Sequence, residues 1–376
     1  MGQASSIDGT IPQTMRAFFL VKPDDDYGKV QTEVRVVPVP KPKSGQVLIR
    51  VTAAPINPSD YGIWGRSDTG GEEFVAKPAG KEGSGVVVAS GGGMTANGML
   101  GKNVGFVDVK SGGSYSEYVV CDASFGTFPL PDTVACEDAA SHFINPYTVC
   151  GILDTARARH QGSKRPGLIH TAAASQVGQM MIKLCKQQNV TLINVVRRKE
   201  QVDILKSIGA EHIINSSSDN WEKELKNLMT ELGVNVVFDA VAGDMSGKLL
   251  SLLPKGGTLF QYGKLSGQPC GGIEMTDLSY HKKKFEGWLL TNWILEFGKG
   301  LSTLMRLRAA TACVHEGLSS TTGSGWAVSQ FEDCDLDNLW AKFLDMKTSS
   351  GFTGRKLRLR FDVGGGSKAN GEAPSE

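Results

Sequence analysis

The chain has 376 residues, 40% hydrophobic and 21% charged, a length and composition that allow two packed domains and exclude a disordered or fibrous protein. Lys and Arg number 40 against 39 Asp and Glu, a net charge of +1 that gives no electrostatic footprint for nucleic acid. Seven cysteines, none in a C-x-x-C pair, fit reduced thiols in a reducing compartment, and no run approaches the roughly 18 apolar residues of a membrane span.

The chain begins Met1-Gly2-Gln3-Ala4-Ser5-Ser6, which fits the acceptor pattern for N-myristoylation of Gly2. The next basic residues are Arg16 and Lys22, and Asp24, Asp25 and Asp26 follow. A single acyl chain there would give only weak, reversible membrane association. The segment lacks the Arg-rich, acid-poor character of a transit peptide, so a cytoplasmic location, possible membrane association included, is expected, with a mitochondrial one as the alternative.

Residues 1–14 read as unstructured. Residues 15–21 and 47–53 read as strands, joined by an extended connector around Pro38, Pro40 and Pro42, because proline at that density is incompatible with a central strand. Short apolar runs at 85–89, 103–108 and 116–120 continue a β region. Residues 137–144 read as a helix ending before Asn145-Pro146, and 147–157 as a second helix. Strand and helix then alternate, with strands at 167–171, 190–196, 212–215, 234–239 and 258–262. The helices between them fall at 177–187, 200–208, 221–232 and 245–253. The first of these carries Val177, Met180, Met181, Leu184 and Cys185 on one face. Repeated βα units with near-continuous apolar strands predict a parallel sheet covered on both faces. A helix at 294–310 and a strand at 356–361 close the fold, and a polar, Gly-rich tail at 364–376 reads as disordered.

The first βα turn reads Thr171-Ala172-Ala173-Ala174-Ser175-Gln176-Val177-Gly178. Small residues here let backbone N–H groups approach a pyrophosphate at the helix N-terminus. The same turn also fits an ordinary strand-turn-helix, and the next strand separates the two. It runs Leu192-Ile193-Asn194-Val195-Val196 into Arg197-Arg198-Lys199. An acidic residue at that strand end binds the ribose 2′-OH of NAD, whereas an Arg accommodates the 2′-phosphate of NADP. Cations at a helix N-terminus oppose the helix dipole, so a bound phosphate explains Arg197 and Arg198 better than a solvated helix start. The expected cofactor is NADPH.

Several ordered segments resemble the medium-chain dehydrogenase/reductase superfamily. They are Gly80-Lys81-Glu82-Gly83-Ser84-Gly85-Val86, Ser207 through Ile214, Phe238 through Gly243, and Gly256-Gly257-Thr258-Leu259. The resemblance implies an α/β fold in which a Rossmann doubly wound parallel sheet domain is inserted into a GroES-like, mostly β, substrate domain. The boundaries expected are a flexible N-terminus at 1–14, the GroES-like domain at 15–140, the NADP-binding domain at 141–295, a return to the substrate domain at 296–363 and the tail at 364–376. A homodimer is also implied.

Where zinc-dependent members carry a His, this chain has Lys81, and their first Cys ligand falls near Asn57. No Cys/His cluster has zinc spacing, so no metal is expected and alcohol oxidation is disfavoured. Ile56 through Asp60, and Asn145-Pro146-Tyr147-Thr148, look like the segments that flank the nicotinamide in the zinc-free branch of quinone and 2-enoyl thioester reductases. Glu286 through Thr291 is similar to the latter. The resemblance therefore implies cofactor contacts from Asn57, Thr148, Ala173, Ala174, Ser175, Gln176, Val177, Gly178, Arg197, Arg198, Tyr262 and Trp288. Asn57 and Tyr61 are the catalytic candidates. One departure stands out. The enoyl thioester reductases place a catalytic Tyr past a Gly shortly after this first segment, where the chain reads Ile63-Trp64-Gly65-Arg66-Ser67-Asp68. Tyr61 is the nearest candidate acid.

The activity expected is hydride transfer to the activated C=C bond of a small-molecule enoyl thioester. The alternatives are quinone reduction and a non-catalytic NADPH-binding scaffold. Lys282-Lys283-Lys284 reads as a solvated turn, His170 as a packed core residue, and residues 66–73 as a loop at the cleft mouth.

Overall fold

The computed structural model describes residues 11–65, 74–107, 109–160, 164–295, 301–319, 325–348 and 355–361, and the backbone of 5–6. The expected loop at 66–73 and the tail at 364–376 lie outside them. Ser5–Ser6 pairs antiparallel with Ala89 and Ser90, so the expectation of an unstructured start at 1–14 fails at that point and at Thr14, where the first long strand begins.

The second half of the chain forms one six-stranded, fully parallel sheet. Its strands are β1 (Gly167–Thr171), β2 (Thr191–Val196), β3 (His212–Asn215), β4 (Val236–Asp239), β5 (Thr258–Gln261) and β6 (Lys284–Gly287). The order is β3-β2-β1-β4-β5-β6, the doubly wound order whose direction reverses between β1 and β4. Successive side chains enter opposite cores. Leu168, Leu192, Val236 and Phe260 join one cluster, and Ile169, Ile193, Val237 and Leu259 the other. Both faces are covered, as the continuous apolar strands require.

Six helices frame the site: α1 (Ile144–Arg159), α2 (Gln176–Gln187), α3 (Lys199–Ser207), α4 (Trp221–Leu232), α5 (Asp244–Leu252) and α6 (Leu301–Leu318). α4 stops where Gly233 takes a φ of +72° as its left-handed cap. The expectation that a helix ends before Asn145-Pro146 is corrected. α1 starts at Ile144 and runs through Pro146, because a proline in the first helical turn gives up an N–H that has no intrahelical acceptor there. The helix expected at 137–144 is a single 3-10 turn, Cys136–Ala139.

The first half builds an eight-stranded, mostly antiparallel GroES-like sheet around Gln46–Pro55 and Glu82–Ser90. A separate three-stranded sheet centres on Thr14–Lys22. The late strand Lys356–Arg360 pairs with Gln46–Pro55, so the chain returns to its first sheet after completing the parallel one. The Lys282–Lys284 reading is also corrected. Lys283 is buried, donating to Asp277 at 2.7 Å and to the Ser251 carbonyl at 2.8 Å, and Lys284 opens strand β6. No described helix is long and apolar enough to cross a membrane.

Candidate active site

In an open α/β sheet a ligand binds outside the carboxyl ends of the strands, at the point where strand order reverses. Here that point joins the ends of β1 and β4. Thr171 Oγ1 donates to Asp239 Oδ1 at 2.7 Å and accepts from the Ala240 N–H at 2.8 Å. The fully buried Asp239 carboxylate also accepts from the N–H groups of Val241 and Ala242 and from the Ser246 hydroxyl. It thereby fixes the turn leaving β4, where Ala242 has a φ of +64°. An acid ending an otherwise apolar strand, Val236-Val237-Phe238-Asp239, was the available signal for this role.

The β1–α2 turn has the backbone that phosphate loops need without the usual glycines. Ala172 adopts a φ of +51°, a conformation most L-residues avoid. Ser175 caps α2, its Oγ accepting from the Gly178 N–H at 3.2 Å. A β-carbon at Gly178 would stand 2.1 Å from the Ala173 carbonyl oxygen, so only glycine allows α2 to approach β1 this closely. Ala173 and Ala174 are buried under the turn, and Val177 is half-buried. The Gln176 side chain accepts from the Gln330 N–H at 3.1 Å, which ties α2 to a loop beyond the parallel sheet.

At the next strand end Arg197 and Arg198 are exposed, and both backbone N–H groups donate to Gln201 Oε1 at 3.1 Å. Among the described residues no carboxylate pairs with the Arg197 guanidinium. The turn and these two guanidiniums fit a dinucleotide carrying an additional phosphate: donors at a helix N-terminus, a close backbone approach and cations one strand away.

Past β5 and β6 stand Tyr262 and Trp288, in edge-to-face contact at 6.4 Å. The Trp288 indole N–H donates to Thr155 of α1 at 3.1 Å, and its ring lies against Gly151, one turn after the buried Thr148. Tyr262, Trp288 and the Thr148 helix are thus brought together. Behind them lies a contact that the sequence reading missed. His170, which was expected only to pack, meets the Tyr262 hydroxyl through Nε2 at 2.5 Å, and its ring stacks on the phenol. Burial drives His170 down to about 4 despite the opposing charge of Asp239.

Asn57 is fully buried in a polar network that joins the GroES-like sheet to the start of α1. Its Nδ2 donates to Glu82 Oε1 at 3.0 Å and its Oδ1 accepts from Lys356 Nζ at 2.6 Å. The other Glu82 oxygen accepts from the N–H groups of Phe143 and Ile144 at 3.0 and 2.8 Å, capping α1 with a full charge where the helix dipole favours it. Asp60 joins through the Asn57 N–H and the Tyr115 hydroxyl. Burial pushes the Asp60 and Glu82 carboxyls up and brings Lys356 down to about 8, against their mutual attraction.

Tyr61 belongs to a different hydrophobic cluster from the one that Tyr262 and Trp288 pack against. Its ring packs on Phe343 at 5.6 Å under the Lys347 ammonium, in the apolar cluster of Trp64 and Leu339. Burial first, then Tyr27 and Asp60, make its phenol harder to ionise.

A zinc ion does not fit this network. The Asn57 amide is occupied at both ends and an ammonium lies 2.6 Å from its oxygen. Among the described residues no three His, Cys, Asp or Glu side chains are grouped to hold a metal.

An α/β protein with a phosphate-type turn where the order of its parallel sheet reverses defines a dinucleotide-binding class. Residues 43–132 match the family described as alcohol dehydrogenase GroES-like domain, and residues 177–306 that described as zinc-binding dehydrogenase. The mitochondrial enoyl-[acyl-carrier-protein] reductase of Caenorhabditis elegans is 30% identical over 281 residues, 67% of this chain and 71% of that protein. Prostaglandin reductase-3 of Mus musculus is 29% identical over 310 residues, 80% and 78% of the two chains. A solved structure from Mesorhizobium loti, assigned as an NADPH:quinone reductase, superposes with a TM-score of 0.80 at 29% identity, over 94% of this chain and 100% of that one. The chain belongs to the medium-chain dehydrogenase/reductase superfamily.

One pH dependence follows from the buried histidines. His142 is buried with both ring nitrogens unpartnered among the described residues, and burial, then His315, lowers it to about 3. Both His142 and His170 titrate below the roughly 6.5 of an unfolded chain. Between those values the unfolded chain binds more protons, so stability is intact above about pH 6.5 and falls with acid by up to ~1.4 kcal/mol per pH unit for each histidine. Chemical denaturation measured from about pH 7 to 4.5 should show this slope, and His142→Leu should make it shallower. An equal slope in the variant would refute the assignment.

Proposed function

We propose that this chain is an NADPH-dependent reductase that delivers hydride to the activated C=C bond of a 2-enoyl thioester. The observation that carries this reading is the pair Arg197 and Arg198, exposed just past the end of β2, the strand paired with β1. They would hold the 2′-phosphate, the β1–α2 turn the pyrophosphate, and Tyr262, Trp288 and Thr148 the nicotinamide end. When bound, the cofactor supplies a hydride from its nicotinamide ring. The protein's part is to orient it and exclude water. The Asn57–Glu82–Lys356 network sets the start of α1, and so the position of Thr148. The relatives named for enoyl and prostaglandin reduction support this substrate class.

A quinone acceptor is the second reading. Tyr61 is held in a different apolar cluster from the one that Tyr262 and Trp288 pack against, and a quinone needs no protein acid because water protonates its product. Stopped-flow oxidation of NADPH against a crotonyl thioester series and a quinone panel separates the readings. Faster turnover of thioesters, rising with acyl length, is expected. Turnover of quinones alone would replace the first reading with the second, and tight NADPH binding without either turnover would favour a non-catalytic scaffold.

A further inference from the structure

The contact between His170 and Tyr262 has a hydrogen to spare. His170 is fully buried near the carboxyl end of β1, and its Nδ1 has no hydrogen-bond partner among the described residues. Its Nε2 lies 2.5 Å from the Tyr262 hydroxyl, with the two ring centroids 5.8 Å apart and the rings inclined by 26°. A neutral imidazole carries one N–H and one bare nitrogen. The ring and the phenol together own two hydrogens, and their contact takes only one. A phenol donating to Nε2 would strand the ring hydrogen on Nδ1, inside the core with no acceptor. A buried nitrogen left bare is tolerated better than a buried N–H left unpaired. His170 therefore carries its hydrogen on Nε2 and donates it to the phenol oxygen, which leaves the Tyr262 O–H unspent.

Tyr262 is half-buried where His170 is sealed, and it stands past the end of β5 with its ring edge-to-face to Trp288. Its backbone is pinned on both sides. The Tyr262 N–H donates to the Asp239 carbonyl at 3.0 Å, and the Gln261 carbonyl accepts from the Trp288 N–H at 2.8 Å. Gln261 Nε2 donates to the Gly263 carbonyl at 2.7 Å. The O–H direction is then the one adjustable feature, and the hydrogen bond from His170 turns it away from the core.

We propose that His170 is a positioning residue for the cofactor: it donates to the Tyr262 oxygen and so directs the Tyr262 O–H to the carboxamide oxygen of the nicotinamide. This rests on the NADPH reading above. A carboxamide held in one orientation holds its ring in one position in the crevice. Burial supports the assignment by drawing His170 down to about 4, so that the ring stays neutral at neutral pH.

Calorimetric titration of the full-length chain with NADPH and with adenosine 2′,5′-bisphosphate, which has both phosphates but no nicotinamide, tests this. Tyr262→Phe is expected to weaken NADPH binding by about fivefold to tenfold, the worth of one hydrogen bond. It should leave the bisphosphate within a factor of about two. His170→Phe should give a similar loss, His170→Gln should recover most of it by restoring an N–H donor, and the double Phe variant should lose no more than either single one. Nitrogen-15 NMR of the unsubstituted protein reads the tautomer directly, whether or not His170→Phe folds, and the hydrogen should be on Nε2. A hydrogen on Nδ1, unchanged NADPH affinity in Tyr262→Phe, or equal weakening of NADPH and the bisphosphate would overturn the proposal. Failure of the unsubstituted chain to bind the bisphosphate would overturn the NADPH reading itself, and this proposal with it.

Discussion

Replacing Arg197 and Arg198 together by alanine is expected to weaken NADPH binding by about 100-fold and leave NADH binding within a factor of about two, for a loss of roughly 3 kcal/mol. The reason is specific to the extra phosphate. A guanidinium presents a planar fork to a phosphate dianion, and charge-assisted bonds of that kind exceed neutral ones about twofold in strength. NADH has a hydroxyl at the same place, so the two cations contribute little to it. Lysine at both positions keeps the charge but loses the fork, so an intermediate loss is expected. Fluorescence titration of each variant with both cofactors measures the effect directly. An unchanged preference for NADPH over NADH would remove the basis for assigning this cofactor.

The second large effect concerns Glu82. Its carboxylate accepts from Asn57 Nδ2 and from the N–H groups of Phe143 and Ile144, in a fully buried position. Glu82→Ala leaves three donors without an acceptor and leaves the Lys356 ammonium beside Asn57 with Asp60 as its remaining compensating carboxylate. Breaking a buried charge arrangement from one side costs about 3–5 kcal/mol, and urea denaturation of the variant is expected to show a loss of that order. Glu82→Gln retains one acceptor oxygen but turns an amide N–H₂ toward other donors, so it should fall between Ala and the parent. Adding Lys356→Met to Glu82→Gln should recover part of the loss, because the second variant no longer carries a buried ammonium that has lost Glu82. A cost for Glu82→Ala below about 1 kcal/mol would mean that the network does not anchor α1.

The parallel sheet was legible from the order of residues because its signals are local. Apolar runs such as Leu192 through Val196, and a stripe such as Val177, Met180, Met181, Leu184 and Cys185, specify strand and helix by period alone. Gly233 and the small residues of Ala172–Ser175 announce their turns through backbone sterics. The cationic pair after β2 was legible for the same reason, since a strand end and its next two residues are neighbours in the chain. The edge strand Lys284–Gly287 was not, because its lysines suggest solvent until Asp277 and the Ser251 carbonyl are seen to receive Lys283.

Long-range contacts decided the rest. Asn57, Glu82 and Lys356 meet across 299 positions of chain, and nothing local to any of them signals that a buried ammonium will stand beside that amide. His170 and Tyr262 are 92 residues apart and touch because β1 and β5 both end at the same edge of the sheet. Tyr61 showed the converse. Its place in the chain suggested a catalytic acid, and only the tertiary structure showed Phe343 and Lys347 packed around its ring. Secondary structure follows from steric and hydrophobic periodicity within a few residues, whereas the partners of a buried polar group are set by whichever distant strands the packed core brings to its side.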